Sequence, residues 1–101
     1  MSKVYGYCRL AFADREAMTE QMALIDVYCQ RHDLKIEKYF CDNGASGLSL
    51  DRNGLNKLLE VLQEGDIVVV RDIARLSRSS SQCLELLERI KDLDVTLTII
   101  N

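Results

Sequence analysis

The segment Ile67-Val68-Val69-Val70 restricts the fold more than any other. Consecutive β-branched residues favour an extended strand, and a strand with no polar side must be covered on both faces. Gly65-Asp66 precedes the run and the polar stretch Arg71 to Arg78 follows it, so the element is strand-length and not part of a long helix. A doubly covered strand requires helices on two sides of a sheet, and the rest of the chain supplies them.

Lys3 to Leu10 reads as a first strand, with the β-formers Val4, Tyr5, Tyr7 and Cys8 around Gly6. Asp14 is placed to cap a helix on which Met18, Met22, Ile25 and Cys29 form one apolar face, widened by Leu24 and Tyr28. Ile36 to Cys41 is a second strand, and Asp42 to Asn53 (DNGASGLSLDRN) has the composition of a loop. Leu55, Leu58, Leu59 and Leu62 mark a short amphipathic helix before the third strand, Ile67 to Val70. Ser79-x-x-Gln82 matches a capping box and opens a helix carrying Cys83, Leu86, Leu87, Ile90 and Leu93; Val95 to Ile100 is a fourth strand. Strands alternating with helices predict an α/β fold: a mainly parallel sheet of four or more strands flanked by helices through right-handed crossovers. The chain ends on a strand with no helix after it, so it reads as cut short.

A chain of 101 residues is one domain with a modest core. Its apolar runs are too short to span a bilayer and its start lacks a signal peptide's apolar segment, so the expected location is cytoplasmic, with no membrane partner. The net charge of −3 argues against a whole-surface nucleic-acid binder but leaves room for a local basic site. Cys8, Cys29, Cys41 and Cys83 are scattered without a C-x-x-C pair, so no metal site is expected and all four read as reduced and mostly buried. His32, the sole histidine, reads as a solvated helix-end residue.

In a parallel α/β sheet, ligands bind outside the carboxyl ends of the strands. Three segments leave there: the first brings Tyr7 and Arg9, the second Asp42, Ser46 and Arg52, the third Arg71, Arg75 and Arg78. Each has an ordinary reading alone, such as an Arg71–Asp72 surface pair or Arg52 capping the next helix. Gathered at one rim of an acidic protein, arginines suit bidentate recognition of phosphate oxygens. The DNGASG loop lacks the G-x-G-x-x-G and G-K-[ST] spacings of nucleotide cradles.

These residues also spell a family. Tyr7-x-Arg9, Gln21, Asp42-x-Gly44-x-Ser46-Gly47, Asp51-Arg52-x-Gly54-Leu55, Gly65-Asp66-x-Val68-Val69-Val70 and Arg75-Leu76-Ser77-Arg78 resemble the N-terminal catalytic domain of the serine site-specific recombinases, the resolvases and invertases. The resemblance covers essentially the whole chain, in order. It implies the resolvase-like three-layer fold. It also implies DNA cleavage by a serine hydroxyl, a phosphoserine link to a DNA 5′ end and strand exchange within a tetramer. No metal and no small-molecule cofactor is implied; arginines neutralise the charge that builds on the phosphate. Carried over, Arg9, Arg75 and Arg78 surround the scissile phosphate, Ser46 and Arg52 support the site, and Tyr7, Gln21 and Asp42 position groups around it. The partners implied are double-stranded DNA and, in the full-length parent, further copies forming dimers and tetramers. Residues 1–101 then correspond to the catalytic domain, truncated before a long dimerisation helix and a DNA-binding module.

Two positions depart from the family pattern. The nucleophilic serine of Y-x-R-x-S is Ala11, and a methyl group cannot attack phosphorus. The acid that precedes the R-L-[SG]-R segment is Ala74, which is expected to leave Arg75 and Arg78 without an orienting partner, with Asp72 on an extended chain facing elsewhere. The expectation is an inactive catalytic-domain fragment. The alternatives are a decayed relative that regulates assembly or occupies DNA, and an unrelated α/β module binding a small phosphorylated ligand.

Overall fold

A computed structural model describes residues 2–44 and 52–100. The elements run β1 (Val4–Leu10), α1 (Arg15–Arg31), β2 (Ile36–Asn43), α2 (Asn53–Val61), β3 (Ile67–Val70), a 3-10 turn (Ile73–Arg75), α3 (Ser80–Asp92) and β4 (Thr96–Ile99). The sheet has the order β2-β1-β3-β4 with every neighbouring pair parallel. It is the α/β, three-layer arrangement that the alternating pattern predicts.

Successive strand residues point to opposite faces, and the core divides accordingly. Tyr5, Tyr7, Phe40, Val68 and Val70 pack with Leu55, Leu58 and Leu62 around α2 and with Leu86 and Ile90 of α3. Val4, Cys8 and Val69 pack with Met18, Ile25 and Cys29 of α1. Val68, Val69 and Val70 are fully buried, as a strand covered on both faces must be.

The local signals largely hold. Asp14 caps α1, its Oδ1 accepting from the Ala17 main-chain N–H at 3.1 Å. His32 is exposed at the helix end, stacked on Tyr28 with Nδ1 2.8 Å from the Tyr28 carbonyl. Three expectations are corrected. Leu24 does not widen the apolar face of α1 but is 48% exposed, because the narrow stripe from Met18 to Cys29 already fills the layer against β1. Only Cys8 and Cys29 of the four free cysteines are buried; Cys41 sits on the edge strand β2, where only one lateral neighbour covers it. The capping box at α3 is half formed: Ser79 Oγ accepts from Gln82 N at 3.5 Å, while Gln82 Oε1 has no partner among the described residues.

Candidate phosphate site at the carboxyl rim

β1 outruns β3 at the carboxyl edge. Their register ends at Tyr7↔Val70, so Arg9 lies beyond the last pair. Gln21, 1% exposed on α1, takes the place of the missing strand: its Oε1 accepts from Arg9 N at 3.1 Å and its Nε2 donates to Arg9 O at 3.3 Å. An extended main chain buried beyond its sheet needs such a substitute partner. Arg9 is thereby fixed in the strand direction, on the same face as Tyr5 and Tyr7.

The second strand reaches further than its composition suggests. β2 continues to Asn43, pairing Arg9 with Asp42 and Leu10 with Asn43, so Asp42 is a strand residue and not a loop residue. Its carboxylate accepts from the main-chain N–H groups of Gly54 at 2.8 Å and Leu55 at 2.9 Å, and from the Tyr7 hydroxyl at 2.7 Å. A carboxylate at the first turn of α2 meets both unpaired donors and the positive end of the helix. Asp42, from another strand, therefore does the capping that Arg52 was expected to do; Arg52 makes no side-chain cap. The approach is close enough that a Cβ on Gly54 would lie 2.7 Å from the Cys41 carbonyl, so the Gly54 of the motif is sterically required.

Arg52 turns inward instead. Its Nη1 donates to the Tyr7 hydroxyl at 3.1 Å and to the Arg75 carbonyl at 2.9 Å, and its Nη2 donates to the Leu76 carbonyl. From the other side Arg9 donates through Nε to the Arg75 carbonyl at 3.2 Å and through Nη2 to the Ala74 carbonyl at 2.7 Å. The carbonyls of residues 74 to 76 point into this pair of guanidiniums because the segment after β3 coils into a 3-10 turn. Arg75 closes the circuit, its Nη1 donating to the Arg9 carbonyl at 3.0 Å.

That turn overturns the expectation for Asp72. On an extended chain Asp72 and Arg75 would diverge, whereas a 3-10 turn eclipses residues three apart. Asp72 Oδ1 lies 3.3 Å from Arg75 Nε as an ion pair, and Asp72 Oδ2 lies 3.9 Å from Arg71 Nε. Arg75 thus has an acidic partner despite Ala74, which is only half-buried and offers its carbonyl to Arg9. The signal was present as an i,i+3 acid–base spacing, hidden by reading the segment as extended.

The arginines, alike in sequence, fall into two kinds. Arg9 and Arg52 are 1% and 3% exposed and hold main-chain carbonyls. Arg75 is half-buried and Arg78 exposed. Burial, and then the charges of Arg52, Arg75 and Arg78, lower the pKa of Arg9. Arg78 therefore belongs to the same electrostatic neighbourhood. Burial and the hydrogen bond to Asp42 push the Tyr7 hydroxyl well above its ordinary range, so it stays a neutral donor.

Ala11 is exposed at the end of β1. Its connection is held on either side: Gly44 N donates to the Leu10 carbonyl at 2.8 Å and Asp14 N to Asn43 Oδ1 at 2.9 Å. Ser46 lies outside the described residues. Among the described residues no group of His, Cys, Asp or Glu is arranged to hold a metal, and no helix is long and apolar enough to cross a membrane.

This architecture is that of a serine recombinase catalytic domain. Residues 4–101 match the family model "Resolvase, N terminal domain", and the chain belongs to that family. It is 33% identical over 87 residues to a resolvase of Clostridium perfringens, covering 86% of this chain and 43% of that protein. It is 28% identical over 99 residues to the transposon Tn3 resolvase of Escherichia coli, covering 98% of this chain and 50% of that protein. The chain thus spans half or less of the length of these relatives. The fold is shared with the N-terminal catalytic domain of TP901-1 integrase, with a TM-score of 0.88, 22% identity, and coverage of 99% of this chain and 79% of that one.

Proposed function

We propose that this chain is the phosphate-gripping part of a serine recombinase catalytic domain, and that its longer parent cuts and rejoins DNA at specific sites. In that reaction a serine oxygen attacks the phosphodiester, the DNA 3′ oxygen leaves as a hydroxyl, and the 5′ phosphate stays on the protein. Reversal by a 3′ hydroxyl restores the backbone without an external energy source. Arg75 and Arg78 face the phosphate, with Arg9 adding charge behind them. Tyr7, Gln21, Asp42 and Arg52 hold the frame, Ser46 supports the site, and Asp72 stands in for the acid missing at Ala74. The observation that carries this reading is the convergence of Arg9, Arg52 and Arg75 at the rim where Ala11 emerges.

Ala11 stands where the attacking hydroxyl is needed, so this chain itself forms no covalent intermediate. The parent continues into a dimerisation helix and a DNA-binding module, and self-association and sequence reading reside there. In a full-length parent carrying Ala11→Ser, incubation with cognate DNA should give a denaturant-resistant protein–DNA adduct. Adding Arg75→Ala should reduce its formation about 10²–10³-fold. Absence of any adduct with the serine restored would refute the catalytic reading.

The methyl group of Ala11 beside an intact arginine cluster favours a second reading, a non-cutting subunit that occupies DNA or joins active copies. It predicts that the Ala11 parent binds DNA undiminished and suppresses cleavage when mixed with an active relative. For residues 1–101 alone, few phosphate contacts on an acidic chain give weak, salt-sensitive DNA binding. A small phosphorylated ligand is the remaining option, and it is recognised by Arg75-dependent phosphate binding that DNA never displaces.

A further inference from the structure

Cys8 and Cys41 occupy the same register position of neighbouring parallel strands. Parallel partners face the same side of the sheet, and strands lie about 4.8 Å apart, inside the Cα separation of about 4.4–6.8 Å that a disulfide accepts. The two sulfurs differ sharply in access: Cys8 is fully buried under α1, while Cys41 is exposed on the edge strand. Interaction with Cys41, and then burial, raises the Cys8 thiol, while interaction with Cys8 lowers the Cys41 thiol. Neither takes part in the phosphate site, yet the next register pair after them is Arg9↔Asp42.

We propose that Cys41 and Cys8 form a thiol–disulfide site that reacts with small disulfides such as oxidised glutathione, Cys41 first and Cys8 as the resolving thiol. The Cys41 thiolate attacks one sulfur of the small disulfide, forming a mixed disulfide and releasing one small thiolate, which takes up a proton. The Cys8 sulfur, giving up its proton, then attacks Cys41 Sγ and expels the second small thiol. Two protein thiols are oxidised to one intrachain disulfide and one small disulfide is reduced to two thiols. Entry must go through Cys41, because a molecule the size of glutathione cannot reach a fully buried sulfur. Closing the bond ties β1 to β2 one residue before the pair that carries Arg9 and Asp42.

The whole chain, treated with oxidised glutathione and mapped by peptide mass spectrometry, tests this. The expected product is a monomer lacking two hydrogens, with the peptides of Cys8 and Cys41 joined and both thiols recovered on reduction. Cys8→Ala should instead keep one glutathione on Cys41, and Cys41→Ser should leave Cys8 unmodified, with a circular dichroism spectrum showing whether each variant remains folded. Should Cys8→Ala not fold, iodoacetamide labelling of the unaltered chain decides the same point, Cys41 being expected to react at least tenfold faster than Cys8. A stable glutathione adduct on the unaltered chain, dimers joined through Cys41, or preferential reaction at Cys83 would each overturn the proposal.

Discussion

Two aspartates are buried at opposite rims of the same sheet, and their surroundings separate structure from function. At the amino rim Asp66, 2% exposed, accepts from the main-chain N–H groups of Lys3 and Gln63, each at 2.9 Å. It closes the turn into β3. At the carboxyl rim Asp42, 8% exposed, also accepts two main-chain N–H groups, but it adds the Tyr7 hydroxyl and, one step on, Arg52. A buried carboxylate with satisfied acceptors is common in any fold. Asp42 is distinguished by the surplus of guanidiniums around it, which an anion would relieve.

The sharpest way to break this contrast is to remove each carboxylate. Asp42→Ala orphans two main-chain donors and the buried Tyr7 hydroxyl beside Arg52 and should cost about 3–5 kcal/mol, measured by urea unfolding, with added sulfate restoring part of the loss. Asp66→Ala orphans two main-chain donors without disturbing a charge cluster and should cost about 2 kcal/mol, with no specific rescue by sulfate. Equal rescue of both variants would erase the distinction.

Alkaline titration sharpens the comparison through Tyr7. Its folded pKa is raised above the ordinary 10.0, so its contribution is complete below that value and is lost as pH rises above it. Stability should fall by up to about 1.4 kcal/mol per pH unit above that point, and Tyr7→Phe should flatten the slope. Tyr39, also raised by burial and by its bond to Asp26, should supply the remainder. The smallest effect is expected for Asp72→Asn, since a partly exposed ion pair is worth about 0.2–1 kcal/mol. Its consequence should appear instead as weaker phosphate binding by Arg75, followed by calorimetry.

Much of this was legible in the residues. The apolar run Ile67–Val70, the α1 stripe and the strand–helix alternation prescribe a doubly covered parallel sheet. The rule that ligands gather at carboxyl strand ends brings Arg9, Arg52 and Arg75 to one rim. Less legible were the extension of β2 through Asp42 and the coil of residues 73–75, because both depend on partners distant in sequence. Asp42 stays extended by pairing with Arg9, and the turn is held by carbonyls that accept from two arginines of other elements.

By itself the sequence determined the order of strands and main helices, the principal buried stripes and that a methyl group stands at Ala11. Those follow from propensity, periodicity and residue identity, all local quantities. Only the tertiary structure decided which arginines are scaffold and which face outward, that Asp72 takes up Arg75, and that Cys8 meets Cys41. Those outcomes depend on distances between segments, and only the folded chain sets such distances.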